Sequence, residues 1–533
     1  RHSFPTRRSS DLNNRPRFIQ SRWTYSRWNS RSFFRVCKKR EFKFFGKVNS
    51  PFDEAKYKAL LDGLEAVELK LSEVVEDNET LRIDSEYFKK ALIDFYKNIS
   101  NFEKLGSFVK SGYRVVYENT KILNISKEDE HLYTRFLQAS DLLTPEIIID
   151  NIGFVDNSDW ERYPKGRIEK GELLIEVKGK AEKVAIVYDD IPEKILVSGS
   201  LFKLKVNNKI SREYLLAFLL CKYGSMFKDR SKTNLLISYI SKPDLYNIPI
   251  PSVSNKFQNE IFKLIKQSHI VLKESKILYK EAEELLLKEL DLLNFTPSEE
   301  NIAIKSFKES FAISGRLDGE YYQPKYNELI TYIKKTKFDK LDNIVNIKKS
   351  IEPGSEAYQD EGIPFIRVSN ITKSGITDTE IHLSKDILKE EDLKKLYPTK
   401  DTILLSKDGT VGIAYKIKNE TEIITSGALL HLIIKREDVL PEYLTLVLNS
   451  LIVQLQADRD AGGSIIKHWK PSEIQEVLIP IIDIAIQTQI EEKIKKSFEL
   501  KEESKKLLDL AKKVVEIAIE KDEDEAMKFI KNN

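Results

Sequence analysis

Two cysteines, Cys37 and Cys221, and six histidines are all that 533 residues offer to thiol or imidazole chemistry. So few cysteines exclude a disulfide framework and a thiolate zinc cluster, and the histidines are too scattered to share a metal. No apolar run approaches the roughly 18 residues that span a bilayer. No membrane partner is therefore expected, and the protein is expected in the cytoplasm. Nucleotide-binding sequences are missing too. Gly166-Arg-Ile-Glu-Lys-Gly171 has the spacing of a phosphate loop, but Glu172 and Leu173 follow where a lysine and a hydroxyl are required. No Asn-Pro-Pro-Tyr sequence of an amino-methyltransferase occurs.

A basic surplus is also absent from most of the chain. The formal net charge is +3, yet residues 1–48 hold 14 Lys and Arg against Asp11 and Glu41, which leaves −9 for the remainder. No methionine precedes Met226, and the opening Arg-His-Ser-Phe-Pro-Thr-Arg-Arg-Ser-Ser-Asp-Leu12 resembles translated adapter read-through. Residues 1–48 are expected to be a spurious leader; a basic nucleic-acid arm is the alternative.

What the chain does have is repetition. Arg82-Ile-Asp-Ser-Glu-Tyr-Phe88 returns as Arg316-Leu-Asp-Gly-Glu-Tyr-Tyr322, an offset of 234. Gly179 answers Gly409, Ser198-Gly199 answers Ser426-Gly427, Lys242-Pro243 answers Lys470-Pro471, and Pro251 with Gln258 answers Pro480 with Gln487. A period this long is not a solenoid. Each copy is a globular module followed by a helix, and a 41% hydrophobic composition is enough to fill two cores.

The helices show a seven-residue repeat. Phe257, Leu264, Val271, Leu278, Leu285 and Leu292 form an apolar seam, with Ile265, Leu272, Tyr279, Leu286 and Leu293 in the adjacent row. The second copy continues with Ile486, Leu500, Leu507 and Val514, broken by Lys493. Such a period keeps one stripe facing a partner helix and predicts a coiled coil; amphipathic helices lying on their own modules are the alternative. A third stripe, Tyr57, Leu61, Leu64, Leu71 and Val75, predicts a helix before the first module. At 1.5 Å per residue the central helix spans roughly 55 Å, long enough to separate two DNA-reading heads by more than a groove repeat.

Inside the modules, apolar runs such as Leu173-Leu174-Ile175, Ile195-Leu196-Val197, Ile403-Leu404-Leu405 and Leu429 to Ile434 read as strands, and Ser211 to Tyr223 and Pro441 to Leu455 as helices. Glu176-Val-Lys178 with Asp159 upstream is the nearest approach to a magnesium-dependent nuclease. The second copy has Ser406-Lys407-Asp408 there, so the carboxylate is not repeated. Two polar loops lie before the closing Lys-Pro of each copy. They offer Lys228, Arg230, Lys232 and Asn234 in the first, and Arg459, Ser464, Lys467 and His468 in the second. Cations with short hydroxyl and amide groups suit phosphates and base edges; solvated turns are the alternative. Gln138 and Ser140, with Arg367 and Asn370, are the next candidates.

The repeated Arg-x-Asp-x-Glu-Tyr opening, the Ile248-Pro-Ile-Pro251 and Leu478-Ile-Pro480 closings with Gln258 and Gln487, and the helix after each together resemble the DNA-specificity subunit of type I restriction-modification systems. The resemblance runs from about Pro51 to the C-terminus. It implies an α+β chain in which two mixed α/β target-recognition domains are separated and followed by long coiled-coil helices, as a pseudo-twofold internal repeat. The boundaries then fall at an N-terminal helix 49–80, a first domain 81–252, a central helical region 253–310, a second domain 311–482 and a C-terminal helix 483–525. It further implies a non-catalytic chain whose partners are double-stranded DNA, adenine methyltransferase subunits and restriction/translocase subunits. S-adenosylmethionine and ATP with magnesium would be bound by those subunits and no cofactor by this one. A self-sufficient nuclease or methyltransferase fragment and a coiled-coil scaffold that binds no DNA are the competing readings.

Overall fold

The structure, a computed structural model, describes residues 82–84, 87–99 and 101–533 apart from 124, 126–127, 150–151, 193, 233–237, 301, 388 and 464–465; before residue 82 it describes 33–36, 55, 58–59 and 66–75. The chain divides into two compact units, Arg1–Phe257 with Val514–Asn533, and Gln258–Lys513. Both mix helix and strand.

In the first unit the apolar runs form buried strands. Val184–Ile186, Leu173–Glu176, Leu201–Val206 and Val109–Tyr113 make a four-stranded sheet in that order, antiparallel throughout, with Leu201 opposite Glu176 and Leu204 opposite Leu173. Residues on both faces of Leu173–Glu176 are buried, which is why its sequence is a continuous apolar run and not an alternation. A second sheet pairs Thr134–Leu137 parallel with Ile195–Val197 and antiparallel with Gly153–Val155. The helix predicted over Ser211 to Tyr223 is Arg212–Leu220, capped by the Ser211 hydroxyl, which accepts from the Glu213 and Tyr214 amides. Cys221 is extended (ψ 169°) and ends it, and a new helix runs Lys222–Arg230. The buried Tyr214 hydroxyl donates to the Pro251 carbonyl at 3.0 Å, tying this helix to the closing strand. Burial raises the Cys221 thiol to about 12, so it stays a protonated core residue.

The second unit has the same strand order: Ala414–Lys416, Ile403–Ser406, Leu429–Ile434, Val345–Lys349. Ile363–Ile366 pairs parallel with Ile424–Thr425 and antiparallel with His382–Leu383. Pro441–Asn449 and Leu451–Asp460 follow, and Tyr443 donates to the Pro480 carbonyl at 2.7 Å.

The long helices are Asn255–Glu289 and Ile484–Glu520. The first ends four residues short of the predicted Leu293. Asp291 turns left-handed (φ 58°) and the Leu292 amide bonds back to the Leu287 carbonyl at 2.8 Å, a C-terminal cap. Within the second unit the two helices run antiparallel. Ser268 Oγ donates to the Ser504 carbonyl and Ser504 Oγ to that of Ser268, both at 2.8 Å. Ser275 and Ser497 exchange the same bonds at 2.8 and 2.7 Å.

These contacts correct the predicted seam. Phe257, Val271, Leu292, Leu500 and Val514 are buried, but Leu264, Leu278, Leu285, Ile486 and Leu507 are only half-buried. The buried rows in this unit are Ile261, Ser268, Ser275 and Ala282 with Ile265, Leu272 and Leu286, answered by Ile490, Ser497, Ser504 and Ala511. Where backbones come close, small side chains fit and a hydroxyl can reach the facing carbonyl, so a search for apolar residues misses that row.

The third stripe does not form one helix over 49–80. Ala66–Leu69 is a strand paired parallel with Phe33–Val36, and among the described residues that follow it up to residue 80 the helix is Leu71–Val75, with Leu71 and Val75 exposed. Tyr57, Leu61 and Leu64 lie outside the described residues, as does most of 1–48.

One buried group makes the second unit acid-sensitive. His431 Nε2 lies 2.8 Å from the Thr425 hydroxyl, and burial, aided by Lys348, lowers its pKa from 6.5 to about 4. The folded pKa is below the unfolded one, so its contribution is complete above pH 6.5 and is lost as pH falls towards 4. The difference is at most about 3 kcal/mol. Denaturant titrations of His431→Gln and the parent at pH 7 and pH 4.5 are expected to show a smaller acid loss in the variant; equal losses would mean that His431 is not the sensitive group.

Candidate nucleic-acid interface

Each unit sets its opening motif against the root of its polar loop. In the first, Arg82 grips Asp84 through Nε at 2.8 Å and Nη2 at 2.9 Å, while Nη1 donates to the Arg230 and Lys232 carbonyls at 2.8 and 3.0 Å. The Arg230 guanidinium lies 3.9 Å above the Tyr87 ring. In the second, Arg316 grips Asp318 at 2.8 and 2.6 Å and sends Nη1 to the Asp460 carbonyl at 3.0 Å. Here Tyr321 lies between Arg316 at 4.5 Å and Arg459 at 5.4 Å. The carbonyls at a helix C-terminus have no intrahelical donor, and a cation there satisfies them and the helix dipole together. The hydrogen bond from Arg316 holds the Asp318 carboxyl below its usual range.

Beyond this root the loop returns on itself. Lys232 bridges to Ile240 and Lys178 to Tyr239, with the Gly179 amide on the Ser238 carbonyl at 3.0 Å. In the second unit Gly462 and His468 exchange backbone bonds at 3.1 and 2.7 Å, and the Gly409 amide reaches the Lys467 carbonyl at 2.9 Å. Gly179 and Gly409, positive in φ at 77° and 73°, therefore shape the turn against which each loop closes. Gly463 has φ 122°, and a Cβ there would lie 2.1 Å from the Ile466 carbonyl. Trp469, 1% exposed, lies in the core at the loop's end.

The predicted DNA-contacting residues fare unevenly. Lys228 is a correction: it is 1% exposed, its Nζ is used on the Glu182 carbonyl at 2.9 Å, and burial lowers its pKa to about 8. It lies on the inner face of a helix whose outer face the sequence does not distinguish. Asn370 is a second correction, buried as a turn cap that accepts from the Arg367 amide at 3.1 Å and donates to the Asp378 carbonyl at 3.2 Å. Arg230 and Arg459 are stacked at the loop roots, and Arg459 also pairs with Asp460 at 2.7 Å. Lys232 and Lys467 reach the loops but pair with Asp229 and Asp458, each at 2.5 Å. His468 is exposed with Nδ1 2.8 Å from Asp408. Ser140 and Arg367 are exposed, and Gln138 is half-buried at the start of a short turn. Asn234 and Ser464 lie outside the described residues.

The carboxylates considered for a nuclease have other partners. Glu176 accepts from the Glu182 and Lys183 amides at 3.0 and 3.2 Å, and Asp159 from the Thr120 hydroxyl at 2.9 Å. Among the described residues no group of three His, Cys, Asp or Glu could hold a metal, and no helix is long and apolar enough to cross a membrane. Arg82, Tyr87, Arg316 and Tyr321 are site residues that carry no chemical signature in the sequence; their recurrence at one offset is the signal that marks them.

Two similar frameworks, each ending in a polar loop held by an arginine, define a mixed α/β recognition module. Residues 333–510 match the model of the type I restriction modification DNA specificity domain, and this region belongs to that family, the one the sequence motifs resemble. Among solved structures the chain is similar to a type I restriction-modification S subunit from M. genitalium, at 15% identity over 79% of this chain and 96% of that one, with a TM-score of 0.36. It is also similar to the HsdS subunit from Thermoanaerobacter tengcongensis, at 14% identity over 79% of this chain and 97% of that one, with a TM-score of 0.25. These superpositions are loose. No curated protein matches the chain.

Lys228 gives a direct check of the burial. Replacing it with methionine is expected to change stability by about 1 kcal/mol, the order of one hydrogen bond, and to leave the salt dependence of DNA binding unaltered. A salt slope lowered by about one would place Lys228 on a phosphate instead.

Proposed function

We propose that the chain is the DNA-specificity subunit of a type I restriction-modification complex and that it reads a bipartite double-stranded site, one half with each unit. The supporting observation is the recurrence of one loop framework in both units, together with the family match over 333–510. The helices, as an antiparallel coiled coil in a pseudo-twofold repeat, set the gap between the halves. The first unit's domain is taken as 81–252 and the second's as 311–482.

The partners in this reading are adenine methyltransferase subunits, which carry S-adenosylmethionine, and restriction/translocase subunits, which carry ATP and magnesium. Between the central helix and Asp318, the residues Ile302, Ile304, Phe307, Ile313 and Leu317 are exposed. An apolar stretch of this kind suits a covering subunit, and we place methyltransferase docking there. The net −9 beyond residue 48 fits a chain whose DNA affinity depends on basic partners closing around the duplex. A cytoplasmic location follows from the same reading.

Purified alone, the chain is expected neither to cut duplex DNA with magnesium nor to transfer a labelled methyl group from S-adenosylmethionine. Cleavage that disappears in Glu176→Ala would overturn the subunit reading.

The spacing role has its own test. Removing Val271–Ile277 together with Leu500–Lys506 takes one heptad from each helix and leaves Ser268 opposite Ser497. Each helix shortens by about 10 Å, about three base pairs at 3.4 Å per step. Sequencing the sites methylated by the complex is expected to show both half-sequences kept and the gap shortened. An altered half-sequence with the gap intact would mean that the helices do not set the spacing.

A further inference from the structure

The arginine that opens each unit has no part in the reading above, yet it makes the same contacts twice. Three features separate it from an ordinary surface ion pair. The aspartate two residues on takes Nε and Nη2, which fixes the plane of the guanidinium and leaves Nη1 one direction to point. That nitrogen meets the last carbonyls of the helix leading into the loop, more than 140 residues away in sequence in either unit. A tyrosine of the same motif then stacks on the arginine of that helix's last turn. Arg230 Nε is buried and without a hydrogen-bond partner among the described residues, Nη1 donates to the Tyr96 hydroxyl at 3.4 Å, and the face of the guanidinium covers the Tyr87 ring.

We propose that Arg82 and Arg316 are positioning residues, each tying the root of its unit's loop to the segment that opens the unit, and that Arg230 and Arg459 act as the stacked half of that tie while the DNA contacts come from the loop beyond them. This rests on the loops being the reading elements. Its consequence is that the most recognisable sequence landmark of each copy acts on specificity without touching DNA. Lysine cannot replace the arginine, because one ammonium does not reproduce the planar fork.

The test uses the full chain carrying Arg316→Gln or Arg316→Lys. Hydrogen exchange at the Gly462 and His468 amides is expected to speed up about tenfold in both variants, as for loss of a hydrogen bond to a charged group, while the first unit's amides keep their rates. In the complex with methyltransferase, selection from a randomised duplex pool is expected to lose preference in one half of the recovered site, with the salt slope unchanged. Arg82→Gln is expected to affect the other half. Should Arg316→Gln fail to fold, Tyr321→Leu removes the half-buried stacked ring and is expected to give the same two results. Unchanged exchange would overturn the tie. So would a salt slope lowered by about one with both preferences intact, because Arg316 would then be a phosphate contact. Replacing Gly463–Ile466 by one glycine separates the two claims. If that leaves preference intact while Arg316→Gln still speeds exchange, the loop is not the reader and the tie stands. If it abolishes preference while Arg316→Gln changes neither exchange nor preference, the loop is the reader and the tie fails.

Discussion

The reciprocal bonds between Ser268 and Ser504 and between Ser275 and Ser497 are the constraint on which the rest of the account depends. A serine hydroxyl reaches the backbone carbonyl of a neighbouring helix only where the two come close, and the small residues that permit so close an approach face each other in this register. A slip of one heptad would bring a serine against Ile490, too bulky for so close an approach, or against Ala511, which has no hydroxyl to return the bond; each bond lost would cost about 0.5–1.5 kcal/mol. Polar groups at core positions of paired helices specify alignment in this way. The same four serines also correspond under the internal repeat, since Ser268 answers Ser497 and Ser275 answers Ser504. A length fixed by register can act as a spacer; one fixed only by apolar contact could slide.

The globular parts obey a second constraint. Arg212–Leu220 and Pro441–Asn449 are buried along almost their whole length, so the sheet and the closing strand must cover them on several sides. The tyrosine bonds to the Pro251 and Pro480 carbonyls carry this cover to the start of the long helices. Loops built on such a framework can diverge in side chain while their roots stay fixed, which is the combination a family of differing DNA readers requires.

Much of this was legible in the sequence, and the misses share a cause. Leu173–Glu176 and Ile403–Ser406 are visible because strands buried on both faces open as continuous apolar runs, and Leu429–Ile434 reads the same way apart from His431. The row of closest contact, three residues before the predicted seam in each heptad, escapes an apolar search because it is serine and alanine, which carry no hydrophobic signal. Its position in a polar, cationic stretch makes Lys228 a candidate for DNA contact, although its helix turns it inward. The Arg82 and Arg316 motifs were seen as repeats, but their partners lie more than 140 residues away, a separation that no local pattern encodes. Pairing Lys467 with Asp458 and Lys232 with Asp229 could not be inferred from charge counts, and it gives both lysines acidic partners already in place.

The central claim, that two copies of one framework read two separated sequences, is tested most directly by hydroxyl-radical footprinting of duplex DNA bound to the assembled complex. The account predicts two short protected blocks divided by a stretch of fixed length whose sequence is free, with each block lost when its own loop is cut back. One continuous block that weakens evenly whichever loop is altered would contradict it.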